Sequence, residues 1–318
     1  MFSIGGGDEI VGMRPLKNTS EVAVIGGGLA GLSAARHMLR LGHLVTLFEA
    51  TGLYGGQVAT VHELDGLAAP GHFSGQDLAI RLLDDVRKAG AVIVETGVAK
   101  VALGERLTLT DDEGRTYRPE ALIVASGASL KKLGVPGEEE FAGRGVSRCA
   151  TCDGGFFRGD DVVVVGGGDA AAQEALVLAK TSRRVIMVCR SVMKAKREYV
   201  DRLAARDNVS FIWDSEVEAI LGVDGVSGVR LRNVRDGATL EVPCAGLFPY
   251  VGVAPNTDFV PKALLTPSGH VKAGADLVTS DPRVFAAGAV RADYGGEVVQ
   301  AMAEGIGAAE AAARRLVH

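Results

Sequence analysis

Cys149 and Cys152 stand in the stretch RCATCDGGFF, residues 148–157, with two residues between them and Asp153 directly after. A Cys-x-x-Cys can ligate a metal, staple a fold or carry electrons, and its spacing alone leaves all three open. The other two cysteines, Cys189 and Cys244, each close a mainly apolar run, VIMVC and LEVPC, and read as small buried hydrophobes. A four-ligand zinc site would want a second close pair, and a secreted disulfide framework would be denser. Cys149 and Cys152 are therefore the candidate redox pair, a chemistry in which the thiolate does the work.

A redox pair needs a scaffold and an electron source, and the flanking sequence supplies a pattern for both. Two segments read as strand, glycine turn, helix, strand: VAVIGGGLAGLSAARHMLRLGHLVTLFEA, residues 22–50, and VVVVGGGDAAAQEALVLAKTSRRVIMVCR, residues 162–190. Gly26, Gly28 and Gly31 complete Gly-x-Gly-x-x-Gly in the first; Gly166, Gly168 and Ala171 complete Gly-x-Gly-x-x-Ala in the second. The glycines permit a tight turn and close backbone approach, so that a pyrophosphate can rest on the helix N-terminus. One such motif is weak evidence; two at the same spacing, each in full context, are strong. The chain is expected to be α/β, with two Rossmann-like three-layer nucleotide-binding domains.

The two units differ at one offset. Twenty-three residues past the first glycine stand Glu49 in the first unit and Cys189 in the second. An acid there accepts hydrogen bonds from a free ribose 2′-hydroxyl, which suits FAD or NAD, and FAD is the expectation for this unit. The second unit lacks the acid and continues with Arg190, Lys194, Lys196 and Arg197. Basic residues there suit a 2′-phosphate, the mark of NADPH, although a solvated basic turn would read the same way.

Composition bounds the rest. The 318 residues suffice for two domains, and 47% hydrophobic residues with 43 glycines suit an α/β protein rather than disorder or a coiled coil. A net charge of −5 without a long basic run gives a nucleic-acid groove no electrostatic support. No apolar stretch approaches a membrane span, so no membrane partner is expected. Residues 1–19 read as a leader without the basic-then-apolar order of a signal peptide, and a cytoplasmic protein is the expectation.

The order of motifs resembles the low-molecular-weight thioredoxin reductase family, FAD-dependent pyridine nucleotide-disulfide oxidoreductases, from about residue 20 to 316. GGGLAG, with Gly26, Gly28, Ala30 and Gly31, comes first, then GGQ, with Gly56 and Gln57. IVASGASLKKLGVPGEEEF, with Ser126 and Gly127, resembles the family's Ala-Thr-Gly segment, and CATCDG matches its active-site sequence ahead of VVVVGGGDAA. PYVGVAPNT and VFAAGAV…AEG, with Gly288 and Ala289, resemble the return to the FAD domain. The resemblance implies a discontinuous FAD domain, 20–129 and 254–318, and an inserted domain, 130–253, that carries the second glycine motif and the redox pair. SGASL and GVAPN would be the crossing linkers, and the chain would act as a homodimer. Cys152 would be the thiol nearest the flavin, Cys149 would exchange with the disulfide of a thioredoxin-like protein, and Asp153 would protonate the departing thiolate.

Departures from the family fall at the cofactors. The His-Arg-Arg-x-x-x-Arg phosphate clamp reads Cys189, Arg190, Ser191 and, at its last arginine, Ala195. The Gly-Asp pair reads Gly288-Ala289, an Arg-Gln pair falls on Gly296 and Glu297, and Ser126 replaces a threonine. FAD remains the expected cofactor, with NADPH as the expected donor if Arg190 and the lysines suffice. The alternative is a relative that draws on ferredoxin or a second flavin, or a dithiol oxidase. A flavin-binding sensor has little use for an intact CATCD, and a monooxygenase or peroxide reductase would not need the pair so placed. His37 and His43 read as surface or packing residues rather than catalytic ones; His62, after GGQ, is the only histidine near a presumed site and is not chosen as catalytic; Trp213 reads as core or rim.

Overall fold

A computed structural model describes residues 21–61, 64 and 73–316; the expected leader, 1–19, and His62 lie outside them. The chain divides into two compact units. One comprises residues 21–56, 78–127 and 257–316, and the other 128–256 with the described part of 57–77.

The first unit is built on a five-stranded parallel sheet. It comprises β1 (Val22–Ile25), β2 (Val45–Phe48), β3 (Val92–Val94), β7 (Ala121–Val124) and β17 (Val284–Ala286), in the order β17-β7-β1-β2-β3. Val22 pairs in register with Val45 on one side and Ala121 on the other. VAVI and ALIV are buried at every position, as expected of central parallel strands covered on both faces. Two helices, α1 (Leu29–Arg40) and α6 (Val298–Leu316), contribute small buried residues such as Ala34, Ala35, Ala308 and Ala312. Their spacing is tight at Gly305, where a Cβ would run into the Ala30 carbonyl and come within 3.1 Å of the Ala34 nitrogen. A three-stranded antiparallel sheet completes this unit: β4 (Val98–Leu103), β5 (Leu107–Asp111) and β6 (Thr116–Tyr117).

The second unit repeats the plan with four parallel strands in the order β11-β10-β9-β15. They are β9 (Asp161–Val165), β10 (Arg184–Cys189), β11 (Val209–Trp213) and β15 (Gly246–Pro249). Its helices are α4 (Asp169–Leu178) and α5 (Arg197–Ala204). An antiparallel sheet of β12 (Ser215–Gly222), β13 (Val226–Asn233) and β14 (Thr239–Pro243) stands beside it. Cys189 and Cys244 are buried in this unit's two apolar clusters, as their sequence neighbours imply. Trp213 is 45% exposed on the edge strand, stacked on Phe211, and so belongs to the rim. The SGASL and GVAPN segments form a two-stranded ribbon, β8 (Ala128–Leu130) against β16 (Val253–Pro255), closed by a 2.8 Å Ser129–Asn256 side-chain hydrogen bond.

The α1–α6 contact makes a direct prediction. Gly305→Ala forces backbone apart where no flexible side chain can yield, and should cost about 1–3 kcal/mol, read as a lowered denaturation midpoint.

Candidate active site

The redox segment is held by its own hydrophobic ends. Ala150 is buried, and Phe157 packs edge-on to Phe248 at 5.4 Å, with β15 approaching closely enough that a Cβ on Gly246 would stand 2.6 Å from the Phe157 ring. Between these anchors lies a single helical turn, α3 (Ala150–Asp153). Cys149 is its N-cap and is disulfide-bonded to Cys152. The Cys152 N–H points at the Cys149 sulfur at 3.1 Å, so backbone dipole favours negative charge on that atom. Cys152 is exposed and Cys149 half-buried. Asp153 is half-buried, and its Oδ2 accepts a 2.6 Å hydrogen bond from Ser147 Oγ, which itself accepts from the Cys149 N–H at 3.2 Å. The three residues expected to do redox chemistry are thus one contiguous group. Among the described residues no cluster of three or more metal-ligating side chains occurs.

The first glycine turn has the shape of a dinucleotide cradle. Gly26 has φ +107°, and a Cβ there would collide with the Ala125 carbonyl and stand 2.9 Å from Ser126 Cα. A Cβ on Gly31 would collide with the Gly26 carbonyl, which is why the helix can start so close to the strand. At Gly28, the N-cap of α1, a Cβ would meet nothing within 4 Å and no side chain caps the helix. Backbone N–H groups therefore face open space. Gly55 donates to the Gly27 carbonyl at 2.8 Å, and Gly56 lies against Gly28. Gly288 abuts Ala30, its would-be Cβ 2.9 Å from that of Ala30; Ala289 follows half-buried and Gly127 has φ +67°. Gln57 falls in the second unit, where its side-chain amide donates to the Ala128 carbonyl.

Glu49 sits 8% exposed at the end of β2. One oxygen accepts from the Gly27 N–H at 2.7 Å, the other from the Thr51 N–H and hydroxyl at 2.8 and 2.7 Å. A carboxylate offers about four lone-pair sites, so acceptor capacity remains for a ribose hydroxyl. An open cradle and a fixed acid fit a dinucleotide with a free 2′-hydroxyl, as FAD has.

The second turn differs where its sequence differs. Gly166 has φ +134°, and a Cβ there would collide with the Tyr250 carbonyl; Ala171 is tolerated where the first unit needs Gly31. Gly168, the N-cap of α4, again opens on empty space with no side-chain cap. Cys189, in the place of Glu49, turns its S–H to the Gly166 carbonyl at 3.3 Å. The following loop folds over the turn: the Lys194 and Ala195 N–H groups both donate to the Gly167 carbonyl, at 2.7 and 3.0 Å. Arg190, Lys194 and Lys196 are exposed on that loop.

Two polar residues behind the redox helix escaped sequence reasoning. Glu174 on α4 accepts the Ala150 N–H at 2.8 Å, and Tyr250, just past β15, is buried beside it. Ala171, Glu174, Ala175 and Leu178 share one helical stripe, so an acid on an otherwise apolar face was the available signal. Burial pushes the Glu174 carboxyl up, partly offset by hydrogen bonding to its charged form.

The chain belongs to the pyridine nucleotide-disulphide oxidoreductase family, which it matches over residues 20–305. It is 37% identical to the thioredoxin reductase of Treponema pallidum (strain Nichols) over 297 residues, 92% of this chain and 96% of that one. Among solved structures it superposes on the FR conformation of Lactococcus lactis thioredoxin reductase with a TM-score of 0.90 at 30% identity, covering 94% and 99% of the two chains. Thioredoxin reductase of T. acidophilum gives 0.88 at 28%, over 95% and 100%. The family and these likenesses make the chain an FAD-dependent disulfide oxidoreductase with two nucleotide-binding Rossmann-like domains.

The remaining cysteines provide a check on which sulfurs are chemically available. Burial pushes the Cys189 thiol up to about 11 and the Cys244 thiol up to about 12. After gentle reduction near neutral pH, iodoacetamide should therefore label two cysteines in the native protein and four in the denatured one, counted by intact mass. Because folding favours these two thiols in their protonated form, that stabilisation is present below the ordinary value of 9.0 and is lost as pH climbs through about 11 for Cys189 and about 12 for Cys244.

Proposed function

We propose that this protein reduces the disulfide of a thioredoxin-like protein, with NADPH as donor, through Cys149, Cys152 and Asp153. The observation that carries the reading is the Cys149–Cys152 disulfide capping a one-turn helix, with Asp153 hydrogen-bonded beside it, in a chain with two dinucleotide turns. Bound FAD would supply relay chemistry, taking an electron pair from a nicotinamide and delivering it to a disulfide. Gly26, Gly28, Ala30, Gly31 and Gly288 would seat its pyrophosphate side, and Glu49 its adenosine ribose. Gly56, Ser126, Gly127 and Ala289 would line the rest. Gly166, Gly168 and Ala171 would seat the second dinucleotide, with Arg190 and its neighbouring lysines at the 2′-phosphate.

The chain's own residues then handle the exchange. Cys149, whose sulfur receives the Cys152 N–H, is placed to carry negative charge and to attack a partner disulfide. Asp153, next in sequence to Cys152 and held by its Ser147 hydrogen bond, would protonate the departing thiolate. Cys152 closes the intramolecular disulfide and releases the partner. The same reading carries the family's homodimer and a cytoplasmic setting. The alternative, with ferredoxin or a second flavin as donor or with dithiol oxidase activity, is not favoured by the relatives.

Anaerobic mixing with NADPH should bleach the yellow oxidised flavin rapidly. Cys152→Ser should keep that bleaching and lose thioredoxin reduction by at least about a hundredfold in kcat/KM. Indifference of the flavin to NADPH would move the donor assignment elsewhere, and a fully active Cys152→Ser would remove the disulfide from the mechanism.

A further inference from the structure

The acid behind the redox helix is used by nothing in the exchange chemistry, yet it is bonded to the backbone of that helix. Glu174 reaches from the first turns of α4 and accepts the N–H of Ala150, the residue next to Cys149 and inside the Cys-x-x-Cys itself. It occupies the apolar stripe of α4, where Ala171, Ala175 and Leu178 are buried. The titratable group facing Glu174 is Tyr250, from the end of β15, which in turn feels Asp153, from α3. Tyr250 is 7% exposed, and its hydroxyl faces the Glu174 carboxyl, whose charged form it favours, while lying in the field of Asp153 as well. A carboxyl bonded to one backbone N–H and watched by one hydroxyl is too sparsely solvated to be an incidental surface charge.

We propose that Glu174 is a positioning residue that sets the reduction potential of the Cys149–Cys152 couple, by placing a carboxylate one peptide away from the sulfur that must become a thiolate. The proposal deepens the disulfide-reductase reading and rests on it for the direction of electron flow. Reduction breaks the S–S bond and takes in two electrons; one sulfur takes a proton and the other remains a thiolate. Two features of the helix turn act on that new charge with opposite sign. The Cys152 N–H stabilises it from the front, and a charged Glu174 destabilises it from behind. The reduced form is thereby held at higher free energy, and the dithiol becomes a better electron donor to a second disulfide. Glu174 also occupies the Ala150 N–H, withdrawing one helix dipole from the sulfur.

The test is the equilibrium of the purified, flavin-loaded protein with reduced and oxidised glutathione, the thiol state being trapped with iodoacetamide and counted by mass. It needs neither NADPH nor a protein partner. Failure of the donor or partner assignment therefore leaves it intact, and failure of the proposal leaves those assignments standing. Glu174→Gln keeps the shape and the acceptor for Ala150 while removing the charge. Above neutral pH it should favour the dithiol about three- to thirtyfold over wild type, roughly 15–45 mV at about 30 mV per tenfold for two electrons. The difference should narrow on acidification, as the wild-type carboxyl takes up its proton. The reduced pair should also react with iodoacetamide faster in mildly acidic buffer. Tyr250→Phe removes the facing hydroxyl and makes the carboxylate harder to keep charged; it should shift the equilibrium the same way by a smaller factor, which supplies a second reading if Glu174→Gln folds poorly. A merely structural role predicts that Glu174→Gln matches wild type at every pH. That outcome, or a shift favouring the disulfide, overturns the proposal.

Discussion

The steric constraint at the two glycine turns governs both halves of this protein. At Gly26 a side chain would drive into the carbonyl of Ala125, and at Gly166 into that of Tyr250. Each turn thus brings the start of a helix against the end of a neighbouring parallel strand, closer than any β-carbon allows. The result in each unit is an uncapped helix N-terminus facing open space, which is what a pyrophosphate requires. In the second unit the same strand end does more. The residue whose carbonyl crowds Gly166 is the residue whose ring and hydroxyl lie behind the redox helix. The second glycine turn and the buried start of the redox helix, at Ala150, are therefore packed by one residue.

The two turns have diverged by means a physical chemist can follow. Glu49 ties down the Gly27 N–H and keeps acceptor capacity for a ribose. Cys189 instead donates to the Gly166 carbonyl, and a buried thiol has no charge with which to hold a hydroxyl or repel a phosphate. The loop that follows is bound by backbone hydrogen bonds to Gly167. Its basic residues Arg190, Lys194 and Lys196 are exposed.

The redox helix shows how little regular structure a reactive site needs. Four residues form it, and its rigidity comes from outside: Ala150 buried, Phe157 wedged against Gly246 and Phe248, Asp153 on Ser147, and Glu174 on the first peptide N–H. A helix this short has negligible stability of its own. Tertiary contacts hold it, and tertiary contacts therefore also set the electrostatic surroundings of its sulfurs.

Local sequence was enough for everything that depends on chain-neighbour geometry. Gly26, Gly28 and Gly31, Gly166 and Gly168, the acid Glu49 at its fixed offset, and the Cys149–Cys152–Asp153 run could all be read off because a strand–turn–helix has one steric solution and a Cys-x-x-Cys spans one turn. The burial of Cys189 and Cys244 followed from their apolar neighbours. What tertiary structure alone decided are the partners brought from afar: Glu174 beneath Ala150, Tyr250 beside it, Gly288 against Ala30, and the pairing of β8 with β16. Hydrogen bonds and fields act over a few ångströms of space, whereas periodicity and motif spacing report only distance along the chain; an acid on an apolar helical stripe announces that it has a partner, and only the fold says which.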